Sequence, residues 1–198
     1  TNRLITLDKN NVQTWMTHGA ALQLLKKYDD AMECFDKAIS IDGENTDLWL
    51  RKGFLLVEQN EYEKAIDCFE TAISLDRNNT IAWSNKGLTL NELRKYDEAI
   101  ECFGKAILLD EYDVAPLIGM AVALASKQEF EKAIDYCNKV ISIDKNNPNA
   151  LATLGSIYRT LKKYPTALKY LNKSLIIKYE KDVEKVRAMT IEEMIQSK

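Results

Sequence analysis

ECFDKAI at residues 33–39, DCFETAI at 67–73 and ECFGKAI at 101–107 are one phrase written three times, placing Cys34, Cys68 and Cys102 at equal intervals of 34 residues. A cysteine at that interval is either a metal or redox device or one slot of a repeating unit. The rest of the register decides between them.

Sliding the chain along itself by 34 residues aligns Trp15, Trp49 and Trp83. It also aligns Gly19, Gly53, Gly87, Ala121 and Gly155, then Tyr28, Tyr62, Tyr96, Phe130 and Tyr164, and then Ala31, Ala65, Ala99, Ala133 and Ala167. Asp8, Asp42, Asp76, Asp110 and Asp144 recur in the same register with no insertion. An unbroken period of this length marks stacked repeats, in which one unit cannot bury its own apolar face. Within the unit that starts at Thr80, Trp83, Gly87 and Leu90 and then Ala99, Phe103 and Ala106 each follow i, i+4, i+7 spacing. Each unit is therefore expected to be two amphipathic helices. Asn79-Thr80 and Asn147-Pro148 read as N-caps, and Pro116, Pro148 and Pro165 fall in first turns, where a missing N–H costs nothing.

These residues resemble the tetratricopeptide (TPR) repeat, and the likeness extends over nearly the whole chain. Later units depart from it: Leu117 and Leu151 stand for Trp, Ala121 for Gly, Cys137 and Leu171 for Phe, and Val140 and Ser174 for Ala. The resemblance implies an all-α fold, a right-handed α-solenoid of helix-turn-helix hairpins. The expected units are 12–45, 46–79, 80–113, 114–147 and 148–181. Residues 1–11, with Leu4, Ile5 and Leu7, read as the tail of a truncated preceding repeat, so the natural protein is expected to extend upstream. Residues 182–198 read as a C-terminal capping helix, its apolar stripe drawn from Val183, Val186, Met189, Met194 and Ile195.

The chain has 198 residues, 46% of them hydrophobic and 29% charged, with a net charge of -3, which gives no general drive toward phosphate backbones. The charge is uneven, since residues 159–198 hold ten Lys/Arg against five Asp/Glu. No apolar run approaches a membrane span, and the start does not read as a secretory signal.

Successive second helices should lie about 8–10 Å apart, too far for a disulfide or for thiolates converging on zinc. There is no C-x-x-C and there is one histidine, so the four cysteines are expected to be free packing residues in a reducing, cytoplasmic compartment. His18 has Lys52, Lys86, Met120 and Leu154 as its equivalents and no nucleophile around it. The recurrent aspartates suit the turn after a helix and cannot meet on one ion. The N-x-S/T sites at Asn78 and Asn172 matter only in a secreted protein. No catalytic, metal or cofactor set is found.

One surface remains. On the first helix of each unit, the face opposite the core ought to be polar, yet it carries Met16, Ala20 and Leu24, then Leu50, Phe54 and Val57, then Ile81 and Leu88, then Ala115, Ile118 and Val122. Such a strip marks an interaction site. The resemblance implies that these first helices line a concave groove receiving a partner peptide. Arg51, Asn85 and Asn91 are its polar groups, and Phe54 and Ile118 are expected to project most strongly. The TPR clamp that holds chaperone C-termini is not matched, since Asn85 alone stands in place. The expected function is a non-catalytic protein–protein interaction scaffold, with a protein or peptide partner and no small-molecule substrate. Three alternatives stay open: homo-oligomerisation through the ends or groove, an interaction domain of a larger enzyme, and an RNA-binding helical repeat.

Overall fold

The computed structural model describes residues 11–197, and every regular element among them is an α-helix. The expectation of a helix tail before residue 11 lies outside the described residues. The chain divides into two compact units, up to Lys95 and from Tyr96 onward, and the division falls inside the third 34-residue period.

The first unit contains α1 (Val12–Leu24), α2 (Tyr28–Ile41), α3 (Thr46–Glu58), α4 (Tyr62–Leu75) and α5 (Thr80–Glu92). Neighbours in sequence pack on one another in turn. Each first helix starts at an asparagine whose side chain accepts a backbone N–H: Asn11 from Thr14, Asn45 from Asp47 and Asn79 from Ala82. The cap satisfies one of the donors that a helix start leaves unpaired. Before that cap, Asp76 Oδ1 accepts from the Asn78 N–H, so the recurrent aspartate closes the turn with its own side chain. The second helices have no side-chain cap at Lys27 or Glu61. Their turns instead place Lys26, Asn60 and Arg94 at φ of 58°, 61° and 59°, a left-handed conformation taken here without glycine.

Large and small residues interlock inside both complete hairpins of this unit. Phe35 and Phe69 are fully buried, and their rings press on Gly19 and Gly53 of the paired helix. The tryptophans recur on the apolar spacing yet are not fully buried. Trp49 and Trp83 are half-buried, and their Nε1 atoms donate to the carbonyls of Gly43 and Arg77 at 2.8 and 3.0 Å. An indole keeps its polar edge at the seam because burying that N–H without a partner is costly. Lys52 and Lys86 sit over these rings and pair with Asp36 and Glu70 at 2.6 and 2.7 Å.

The second unit contains α6 (Tyr96–Leu109), α7 (Val114–Ser126), α8 (Phe130–Ile143), α9 (Pro148–Thr160), α10 (Tyr164–Ile177) and α11 (Lys181–Gln196). Asp113 and Asn147 cap α7 and α9, and Gln128 and Lys162 take φ of 64° and 58° at the turns. The Phe103 ring lies against Gly119, and Leu171 against Gly155. The terminal helix α11 docks on α10. Its buried line runs through Val183 and Thr190, with Val186 and Met194 half-buried. Ile195 is 64% exposed and Met189 37%, so the expected stripe is corrected at those two positions. A step of five between Met189 and Met194 cannot hold one helical face, whereas 183, 186, 190 and 194 can.

Candidate functional site

In the first unit the open faces of α1, α3 and α5 carry the expected strip in part. Met16 and Ala20 are half-buried, whereas Leu24, Ile81 and Leu88 are exposed. Leu50 is only 6% exposed and belongs to a core cluster with Phe69 of α4 and Ala82 of α5, which corrects its placement on a wet face. Phe54 is half-buried and its ring centroid lies 5.7 Å from that of Phe69, so it braces the hairpin as much as it faces outward. A helical period marks one buried face per helix, but α3 packs between α2 and α4 and buries two.

The polar groups of this face are partly engaged. Arg51 Nε donates to Asp47 Oδ2 at 2.9 Å, one turn back. Asn85 Nδ2 donates to the Ile81 carbonyl at 2.7 Å, and Asn91 is half-buried. Gln23 Nε2 donates to Glu58 at 3.0 Å and ties α1 to α3. A cleft of about 460 Å³ opens between α2 and α4, over Trp49 and Leu56, and includes none of the strip residues.

In the second unit Ala115 and Val122 are exposed on α7, while Ile118 is half-buried against a cluster of Leu117, Val140 and Ala150. Ile118 therefore projects less than the sequence suggests. A hollow of about 370 Å³ lies between α7 and α9, lined by Val122, Ala125, Phe130, Thr153, Ser156 and Ile157. Of these, Val122 belongs to the expected strip. Small residues at Ala125 and Ala152 open the space, and their size was the readable signal. Next to it, Arg159 makes a two-pronged bond to Glu193 of α11, at 2.7 and 3.2 Å. The two residues lie one repeat period apart, a relation the 34-residue register contained.

Cys34, Cys68, Cys102 and Cys137 are all buried and free. Burial pushes the Cys68 thiol up to about 11 and the Cys137 thiol up to about 12, and raises Cys34 as well. These are the properties of packing residues, the reverse of an activated thiolate. No three His, Cys, Asp or Glu side chains among the described residues are grouped to hold a metal ion. His18 is half-buried on α1.

The hairpins, the 34-residue register and the open first-helix faces define a helical-repeat protein. The chain belongs to the tetratricopeptide repeat family: two family models of that description match it, one at residues 46–79 and 80–113, the other at 12–45, 117–147 and 148–178. Comparison with curated protein sequences gave no match. Among solved structures the chain is similar to YrrB, described as a TPR protein with an unusual peptide-binding site, at 21% identity and a TM-score of 0.69. That match covers 92% of this chain and 94% of YrrB. It is also similar to the Cut9-Hcn1 hetero-tetramer of the APC/C, at 22% identity and a TM-score of 0.84 over 96% of this chain and 38% of that one. A third is TTC0263, a thermophilic TPR protein in Thermus thermophilus, at 14% identity and a TM-score of 0.76 over 91% of this chain and 99% of that one. At these identities the likeness shows the fold, the α-solenoid class of helical hairpins. A TPR chain is a protein–protein interaction scaffold, and no helix among the described residues is long and apolar enough to cross a membrane.

Proposed function

We propose that this chain is a non-catalytic scaffold that takes an apolar segment of a partner protein, extended or helical, on the open faces of its first helices. The observation that carries the reading is the exposure of large apolar side chains there: Ile81 is 52% exposed, and Leu88 and Val122 are 39% each, the last beside the hollow between α7 and α9. In the first unit Met16 and Ala20 extend the apolar surface and Leu50 and Phe54 support it from beneath; in the second unit Ile118 extends it. Arg51, Asn85 and Asn91 are the groups that orient the partner's backbone or a carboxylate, since one amide proton of Asn85 is spent within its own helix and the rest of the amide is not. The likeness in fold to YrrB, whose description names a peptide-binding site, supports the same reading. We also propose repeat units at 12–45, 46–79, 80–113, 114–147 and 148–181. Buried free thiols fit a cytoplasmic setting.

Panning a displayed peptide library on the purified chain tests the reading. Recovered peptides should share two or more apolar anchors and bind near the micromolar level, about -8 kcal/mol. They should be lost on Leu88→Glu and Val122→Glu with the melting temperature kept. Peptides that survive both substitutions would place the site elsewhere.

A further inference from the structure

The outer faces of two second helices in the second unit carry apolar side chains left exposed among the described residues. Leu108 on α6 is 87% exposed and Ile176 on α10 is 85% exposed. The equivalent positions in the other repeats hold Ser40, Ser74 and Ser142, whose hydroxyls donate to the carbonyl three residues back. A solvent position has thus become apolar twice.

Beside Leu108 lies a hollow of about 500 Å³, lined also by Glu101, Gly104, Lys105, Ile107 and Tyr136. A Cβ on Gly104 would meet no atom within 4 Å, so the chain's own packing does not call for glycine, which weakens the middle of a helix. The matching positions, Asp36 and Glu70, hold ion pairs to Lys52 and Lys86. At Gly104 both halves of that pair are gone, because Met120, 5% exposed, stands in the place of the lysine.

Charge says what fits there. Residues 145–179, which include α10, contain seven Lys/Arg and no Asp/Glu, whereas residues 96–144 contain four Lys/Arg against ten Asp/Glu. Lys173 and Lys169 precede Ile176 by three and seven residues, and Glu101 and Asp97 precede Gly104 by the same steps. Residues so spaced share a helix face. Laid parallel with Ile176 over Gly104, α10 therefore sets Lys173 against Glu101 and Lys169 against Glu98, with Asp97, which also pairs with Lys127 of its own chain, beside it. Lys173 already donates to the Lys145 carbonyl at 3.0 Å and keeps two further N–H groups. A nucleic acid on this basic face would want free aromatic rings, but Tyr158 and Tyr170 stack on each other, centroids 5.6 Å apart.

We propose that the hollow over Gly104 on α6 receives Ile176 on α10 of a second copy of this chain, with the lysines of one copy set against the acids of the other. Ile176 stays exposed within its own chain, so the contact takes two molecules. The two patches differ, which makes the contact heterologous and able to propagate beyond a dimer. It uses neither the first-helix faces nor the chain ends.

Light scattering and sedimentation of the whole chain test this at low ionic strength, up to about millimolar concentration, the weak end of the affinity scale. The mean mass should rise past that of a dimer and fall as salt is added. Gly104→Gln, which fills the hollow, and Ile176→Ser, which restores the residue type of the other repeats, should each weaken association about tenfold or more without changing the melting temperature. Mixing the two variants should give a dimer that grows no further, since each keeps one intact patch. Lys173→Glu and Glu101→Lys should each weaken association, and the double variant should recover it. A mass independent of concentration, association indifferent to Gly104→Gln and Ile176→Ser, or association abolished by nuclease would overturn the proposal.

Discussion

The Phe69 ring lies 2.5 Å from where a Cβ on Gly53 would be, closer than any real Cβ approaches a neighbour. The ring is fully buried and cannot swing into solvent. Gly53→Ala should therefore cost about 1–3 kcal/mol through overpacking, despite the better helix propensity of alanine. Urea melts read the loss as a lower midpoint at constant slope. An unchanged midpoint would mean that α3 and α4 sit further apart than described.

Phe54 and Leu88 are both on the expected strip, but they answer to different forces. Phe54 packs on the core cluster around Phe69, so Phe54→Ser should cost about 2–4 kcal/mol. Leu88 is 39% exposed, and Leu88→Ser should stay within about 0.5 kcal/mol of the parent. Thermal melts of the two variants check the ordering.

The contrast shows how far the sequence was readable. The period located both helices of each hairpin, and Asn79 and Asn147 announced their roles as caps because few side chains do that work. The pairing of a small residue with a ring, as at Gly53 and Phe69, also appears in the pattern of sizes. Leu50 and Phe54 were misplaced because a period fixes one buried direction, while a helix between two neighbours buries more. The half-exposed tryptophans were hidden as well: their placement depends on an indole N–H reaching a carbonyl six residues upstream, a tertiary detail with no composition signal.

The left-handed turns were equally silent, since Lys26, Asn60, Arg94, Gln128 and Lys162 share φ near 60° but no residue type. A non-glycine residue there carries about 1–2 kcal/mol of strain, against which glycine loses about 0.5–1 kcal/mol in chain entropy. Gln128→Gly should accordingly stabilise the protein by about 0.5–1 kcal/mol, read from chemical denaturation. A loss of stability would mean that the Gln128 side chain holds the turn.

The buried thiols predict a pH dependence on the alkaline side. Folding raises Cys68 from 9.0 to about 11 and Cys137 from 9.0 to about 12, so above pH 9 the unfolded chain releases protons that the folded chain retains. Stability should therefore be constant with respect to these groups below pH 9 and decline as pH rises toward 11 and 12. In native protein at pH 8, thiol reagents should react with them far more slowly than with the unfolded chain. Comparing Cys68→Ala and Cys137→Ala with the parent across this range isolates their share.

Arg159 and Glu193 hold α11 to α9 through a two-pronged bond with both side chains partly shielded. Such a pair exceeds an ordinary surface ion pair because the guanidinium fork matches the carboxylate, and a coupling of about 1 kcal/mol is expected. The helix also packs on α10 through its buried Val183 and Thr190, and Arg187 donates to Asn172. Glu193→Gln should therefore speed amide exchange across residues 181–196 while leaving α7 unchanged, since local opening follows local contacts. A double-mutant cycle with Arg159→Gln supplies the coupling itself. The exchanged charge Arg159→Glu with Glu193→Arg should recover slow exchange, whereas either reversal alone should leave α11 open. Equal exchange in parent and single variants would assign the docking of α11 to Val183 and Thr190 alone.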